Sequence, residues 1–211
     1  RQSNEYIIFD VGANIGAFSL KLSNIIEQNC KNNNYLIYAF EPNKSIFNLL
    51  RNNISLNHQY KDNIILNELA IGDKIGCVDF ICESQNSGNS RVIDKSYEMS
   101  SIQKVNQTTI DEYVSKNYIK TIDFIKIDVE GYEPFVLDGA IETIKNFSPT
   151  LYIEISPHWF RRSGRSATSL IKTLEKFEYT IFLDMNNGKI EYLSKMENIL
   201  SQRQVNILAK K

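Results

Sequence analysis

Two stretches of this 211-residue chain combine glycines and ionisable groups at spacings that could bind a ligand and act on it. The first is Phe9-Asp10-Val11-Gly12-Ala13-Asn14-Ile15-Gly16, and the second is Lys126-Ile127-Asp128-Val129-Glu130-Gly131. In the first, Gly12 lets the backbone turn tightly and Gly16 lets a following helix start close to a ligand. Asp10 stands at the end of an apolar run, where its carboxylate can accept hydrogen bonds from an amine. A second apolar run ends Ala39-Phe40-Glu41-Pro42, and a carboxylate at that point can chelate a ribose diol. A dinucleotide loop would need G-x-G-x-x-G, and a Walker loop would need Gly-Lys-Ser/Thr after its glycines. Neither is present, because the loop is G-x-x-x-G behind an aspartate. The ligand that fits carries a ribose and a charged amine but no phosphate, namely S-adenosylmethionine.

In the second stretch, Lys126, Asp128 and Glu130 alternate along a strand and so share one face. Three ionisable groups on a nearly all-apolar strand are costly unless they are paired or meet a ligand. Lys126 could form an ion pair with Asp128 or Glu130 that only organises the sheet end. Alternatively, the carboxylates steady a cationic cofactor and orient an acceptor hydroxyl. The next strand ends Tyr152-Ile153-Glu154-Ile155-Ser156-Pro157-His158-Trp159, which adds Glu154 and one of the two histidines. Asp128, Glu130, Glu154 and His158 are therefore the candidate catalytic residues, with a carboxylate or the imidazole as general base. The other histidine, His58, sits in a polar turn and reads as surface. Asp128, Glu130 and Glu154, with His158, could also hold a divalent ion, but no tight ligand spacing demands one, and metal-free catalysis is the expectation. Arg161, Arg162, Arg165 and Lys172 form a basic cluster, solvated by default, where an anionic or polyhydroxyl acceptor could dock. Tyr132, Trp159 and Phe160 are ordinary packing residues that could also offer a sugar ring a stacking surface.

The elements that must position these groups alternate between strand and helix. Short apolar runs at Tyr6–Val11, Tyr35–Phe40, Ile64–Ile71, Ile122–Asp128 and Thr150–Ile155 read as buried strands. Between them, apolar residues recur at helical spacing from Ala17 to Gln28 and after Asn43, a suitable N-cap. A helix with Pro134 in its first turn carries Phe135, Val136, Ile141 and Ile144. Val78–Cys82 and Ile102–Thr108 pair as a small β insertion, and the polar Glu83–Ser101 stretch is a candidate lid over the acceptor. Helix Ser169–Phe177 and strands Tyr179–Asp184, Lys189–Leu193 and Gln204–Ala209 complete the chain. This succession calls for one α/β domain with a doubly wound, mostly parallel sheet and an antiparallel edge.

Composition narrows the class further. A net charge of −1 argues against a nucleic-acid binder, which carries a basic excess. No apolar run reaches the roughly 20 residues of a membrane span. Three cysteines, Cys30, Cys77 and Cys82, are too scattered for a disulfide framework, which fits reduced thiols in the cytoplasm. The chain opens on Arg1 with a strand almost at once, as expected of a domain excised from a longer chain.

The loop Asp10–Gly16, Phe40-Glu41-Pro42, Ala70-Ile71-Gly72-Asp73, Thr109-Ile110-Asp111-Glu112-Tyr113 and Ile125–Glu133 occur here in one order. In that order they resemble the FkbM family of S-adenosylmethionine-dependent methyltransferases, from about Tyr6 to the Glu154 region. The resemblance implies a class I methyltransferase (Rossmann-like) fold and methyl transfer to a hydroxyl oxygen, commonly of a sugar or glycan. It implies cofactor contacts from Asp10, Gly12, Asn14, Gly16 and Glu41; Ala13 and Pro42, which flank these positions, and Ala70 and Asp128 join the candidate set. The alternative is a catalytically silent cofactor-binding domain of a larger enzyme. A glycosyltransferase module upstream in the same chain would point to a glycan acceptor.

Overall fold

The computed structural model describes residues 5–29, 34–81, 91–92, 102–185 and 188–211. In chain order the elements begin with β1 (Glu5–Val11), α1 (Ala17–Asn29), β2 (Asn34–Phe40), α2 (Lys44–Leu56) and β3 (Ile64–Asn67). A β-rich stretch follows: β4 (Ala70–Ile71), β5 (Gly76–Ile81), β6 (Arg91–Val92) and β7 (Ile102–Thr108). Then come α3 (Ile110–Lys116), β8 (Phe124–Ile127), α4 (Glu133–Asp138), α5 (Ile141–Phe147) and β9 (Thr150–Ile155). The chain finishes with α6 (Pro157–Arg162), α7 (Ala167–Lys176), β10 (Thr180–Asp184), β11 (Ile190–Tyr192), α8 (Glu197–Leu200) and β12 (Val205–Lys210).

The main sheet has the order β11-β10-β12-β9-β8-β1-β2-β3. Strands β3, β2, β1, β8 and β9 are parallel, and β12, β10 and β11 each run antiparallel to their neighbours at one edge. The chain winds outward from β1 to β3 and then returns to lay β8 against the other side of β1. That reversal is the switch point at which open α/β sheets bind ligands, beyond the carboxyl ends of the strands. Alternation along β1 sends Ile7, Phe9 and Val11 into one apolar cluster and Ile8 into another. Asp10 shares the parity of Ile8 and faces α1.

Local chemistry sets several boundaries. Asn43 Oδ1 accepts from the amides of Ser45 and Ile46 and caps α2, as the sequence suggests. Thr109 caps α3 through the amide of Glu112. The apolar run Ile64–Ile71 is not one strand: it is divided between two sheets. Its first part pairs with β2 up to Phe40↔Asn67, and Ala70–Ile71 then pair with Gln107–Thr108 of β7. The small sheet β4-β7-β5-β6 realises the expected insertion, with Val78 opposite Val105.

The helix expected from Pro134 to Ile144 is broken at Gly139-Ala140 into α4 and α5. A Cβ on Gly139 would lie 2.0 Å from the Gly72 carbonyl oxygen, so this point of the chain is pressed against the β4–β5 turn. Helices α6 and α8 lack a periodicity long enough to read from sequence. Of the candidate lid Glu83–Ser101, only Arg91–Val92, paired with Phe80–Ile81, lie among the described residues. No helix among those residues is long and apolar enough to cross a membrane.

Candidate cofactor and acceptor site

The loop after β1 is built on a glycine that no other residue can replace without movement. Gly12 has φ +80°, and a Cβ there would lie 1.8 Å from the Asp128 carbonyl oxygen. The amides of Gly12 and Ala13 donate to Phe40 O at 3.1 and 2.9 Å, and that of Gly16 to Ala13 O at 2.9 Å. Asn14, with φ 51°, donates its amide to Glu41 Oε2 at 3.1 Å. These four amides are consumed inside the protein, so the loop does not present them to a phosphate. Gly16 differs from expectation. It is absent from the cavity wall, and its missing Cβ makes room for Leu50 of α2, 2.6 Å from where that atom would be.

Asp10 is also placed differently from the sequence reading. It is fully buried and does not line the cavity. Its Oδ2 accepts from Ser19 Oγ at 2.7 Å, and its Oδ1 lies 3.2 Å from Lys126 Nζ. The amine it serves is therefore the protein's own. Lys126 Nζ also lies 3.3 Å from Asp128 Oδ2 and donates to Gly12 O at 2.9 Å, so its ammonium meets two carboxylates and a carbonyl. Burial lowers the pKa of Lys126, but the charges of Asp10 and Asp128 outweigh this and raise it overall. The ion pair weighed in the sequence is present, with Asp10 as an added partner.

Glu41 follows β2 and is 7% exposed. Its Oε1 accepts from the amide of Asn43 at 2.8 Å, and its Oε2 from Asn14. Each oxygen keeps a lone-pair site for a further donor, which is what a diol requires. Burial pushes its pKa up to about 7 against the pull of the two amides and of Lys126.

A cavity of about 490 Å³ opens along these strand ends. Gly12, Ala13, Asn14, Glu41, Pro42 and Ala70 all lie on its wall. Phe18, Phe40, Ile71 and Phe80 add apolar surface, and Asp128, Glu130, Tyr152, Glu154 and Asn206 add polar surface. The carboxylates of Asp128, Glu130 and Glu154 each offer an oxygen, all within 4.8 Å of one another. Such a trio could hold a divalent ion or a cationic ligand. Glu154 Oε1 accepts from the Gln204 amide, and its Oε2 is buried without a hydrogen-bond partner. Burial, reinforced by the Asp128 charge, raises the pKa of Glu154 to about 7.

His158 does not join this group. It is exposed and lines a neighbouring cavity of about 480 Å³ with Glu130, Ser156, Trp159, Arg203 and Gln204. The proposed docking surfaces are likewise reduced. Arg165 pairs with Asp138 at 2.7 Å and lies 4.3 Å over the Phe135 ring. Arg162 lies 5.1 Å over Trp159. Tyr132 is buried and stacked on Phe135, and Phe160 is fully buried, so of the three aromatics only Trp159 keeps partial exposure.

Sequence reasoning missed Phe18, Phe80 and Asn206 on the wall, and the partnership of Ser19 with Asp10. Phe80 comes from the insertion and Asn206 from the antiparallel edge, so neither has a local motif. Ser19 had a signal: it is a polar residue on the face of α1 that packs on β1.

The site fits S-adenosylmethionine. A side chain at Gly12 would fill the turn, Glu41 offers free lone pairs to a diol, and an acidic wall suits a cation. Comparison with known proteins agrees. The methyltransferase FkbM domain family matches residues 10–201. A methyltransferase FkbM from Methylobacillus flagellatus KT superposes with TM-score 0.61 at 20% identity, covering 100% of this chain and 44% of that one. The chain thus spans less than half of that relative. The METTL16 methyltransferase domain gives 0.54 at 12% identity, covering 100% of this chain and 61% of that one. Magnesium protoporphyrin IX methyltransferase (ChlM) from Synechocystis PCC 6803, with bound S-adenosylmethionine, gives 0.50 at 10%, covering 98% and 70%. No curated protein matches the chain significantly. With this fold, this loop and a family match over most of its length, the chain belongs to the FkbM family of S-adenosylmethionine-dependent methyltransferases, built on the class I fold.

Proposed function

We propose that this domain methylates a hydroxyl oxygen of a sugar or glycan. The observation that carries this reading is the trio Asp128, Glu130 and Glu154 on the wall that also bears Gly12 and Glu41. When bound, S-adenosylmethionine supplies a methyl group made electrophilic by its sulfonium. Glu41 accepts from the ribose hydroxyls, while the Gly12–Asn14 turn and the apolar wall of Ala70, Ile71 and Phe80 enclose the nucleoside. Asp128, Glu130 and Glu154 make the remaining wall acidic, which favours a cation over its neutral product. Glu154, with a pKa near 7, takes up the hydroxyl proton at a useful pH. The sugar ring extends past Glu130 into the second cavity, where Trp159 offers an aromatic surface.

Catalysis without a metal is part of the proposal. Lys126 already gives Asp128 a counter-charge, and Gln204 occupies one oxygen of Glu154. A glycosyltransferase module upstream would deliver the glycan. The test is to incubate the protein with S-adenosylmethionine and a panel of methyl glycosides and to follow mass. A gain of one methyl on any of them supports the reading. Tight cofactor binding with no gain on sugars or other alcohols identifies a silent binding domain instead.

A further inference from the structure

We propose that Glu133 is a positioning residue of this site: its buried side chain clamps the Asp128–Tyr132 loop in the shape that presents Asp128 and Glu130 to the acceptor. The inference rests on the methyl-transfer reading for its consequence, but the clamp itself is a property of the chain.

Glu133 opens α4 yet does not line the cavity, and it is fully buried. A carboxyl group in such a place requires an explanation. Its Oε1 accepts the amide of Val129 at 2.9 Å and that of Gly131 at 3.2 Å. Between these amides lies Glu130, whose carboxylate belongs to the acidic trio.

The loop needs such a restraint. Glu130 has φ 53° and Gly131 has φ 100°, two successive residues in the left-handed region. Glutamate is disfavoured there and keeps that conformation only where its surroundings dictate it. Gly131 is required for a second reason: a Cβ on it would lie 2.5 Å from Trp159 Cβ. The N-terminal side of the loop is tied by the Asp128 amide to Val11 O at 3.1 Å. Without Glu133, the amides of Val129 and Gly131 would lose their side-chain acceptor, and Glu130 would be free to leave its strained conformation. The carboxylates would then lose their register with Glu154, and small misplacements of reacting groups are expensive in rate.

Burial, opposed by the backbone amides and reinforced by Glu154, raises the pKa of Glu133 to about 8. The shift favours the neutral acid, whose carbonyl oxygen serves as the acceptor. Glutamine reproduces that acceptor, leucine removes it, and aspartate withdraws it by one methylene.

The test compares Glu133→Gln, Glu133→Leu and Glu133→Asp in the full chain. It uses amide hydrogen exchange by NMR, calorimetric titration with S-adenosylmethionine, and turnover on whichever methyl glycoside the wild type methylates. In Glu133→Leu, exchange at Val129 and Gly131 should rise at least about tenfold while the β1 amides stay protected. Cofactor affinity should change by less than about threefold, turnover should fall by about a hundredfold, and Glu133→Gln should restore both exchange and turnover. Should the leucine variant not fold, Glu133→Asp carries the test through faster exchange at Gly131 and reduced turnover. Unchanged exchange in the folded variant overturns the clamp, and so does fast exchange with undiminished turnover. If the wild type methylates nothing while its cofactor binds, the methyl-transfer reading fails, and exchange still decides the clamp.

Discussion

Lys126 Nζ stands 3.2 Å from Asp10 Oδ1, with the lysine side chain 9% exposed and the aspartate side chain 0% exposed. Two opposite charges from adjacent strands thus meet at the cavity floor, where Lys126 forms part of the wall and Asp10 lies beneath it. The same ammonium reaches Gly12 O and Asp128 Oδ2, so one side chain joins the cofactor loop to the acidic wall. Lys126→Met should leave Asp10 buried and uncompensated, at a cost of about 3–5 kcal/mol. Urea unfolding measures this. A loss below about 1 kcal/mol, the value of a surface pair, would show that the charge is solvated.

Glu41→Ala should weaken S-adenosylmethionine binding by roughly 1.5–3 kcal/mol, the value of a hydrogen-bonding site involving a charge. The pKa near 7 adds a pH signature. Below it Glu41 is neutral and a weaker acceptor, so wild-type affinity should rise between about pH 6 and pH 8. Glu41→Gln should remove that component of the rise. Calorimetry across this range decides both points, and equal affinity in wild type and Glu41→Ala would place the ribose elsewhere.

The strands were readable because each is a short apolar run, and the cofactor loop because its glycine and acidic residues adjoin those runs. The alternation on β8 correctly brought Lys126 and Asp128 together. What the sequence could not supply was the other half of each contact. Asp10 was assigned to an external amine because nothing local to it shows that Lys126, 116 positions later, fills that place. Gly16 looked like a ligand glycine, since packing against Leu50 leaves the same local signature. His158 followed Glu154 closely in sequence, but Pro157 starts α6 there and carries the imidazole to an exposed position. Glu133 was visible in the motif, yet its burial and its two loop amides depend on the fold.

Three buried carboxyl groups contribute to the dependence of stability on pH. Glu41, Glu133 and Glu154 have pKa values raised to about 7, 8 and 7 from a reference of 4.5. Raised values mean that the folded state binds more protons than the unfolded chain between the two limits. Their contribution to stability is therefore complete below about pH 4.5 and is lost as pH rises through 7 to 8. Glu133→Gln cannot ionise and should flatten the decline of thermal stability between about pH 5 and pH 8. A variant with the same slope as wild type would mean that Glu133 is charged in the fold at neutral pH.

The last prediction concerns the division of labour in the acidic trio. Asp128 contacts Lys126 and borders the cofactor loop, so Asp128→Asn should weaken cofactor binding and turnover together. Glu154 pairs instead with Gln204. Glu130→Gln and Glu154→Gln should leave S-adenosylmethionine affinity nearly intact, while at least one reduces turnover by about 10²–10⁴-fold, the usual reach of a general base. Glu154 is the stronger candidate, because its pKa of about 7 matches a proton acceptor near neutrality and its Oε2 has no protein partner. His158 is exposed in the neighbouring cavity, so His158→Ala should affect the KM for the acceptor more than kcat. Chelation provides an independent arm. Turnover that survives exhaustive dialysis against a chelator fits the metal-free mechanism, whereas loss with recovery on adding Mg²⁺ assigns the trio to an ion. If neither glutamate variant slows a folded enzyme, proton removal is not performed at the ends of β8 and β9.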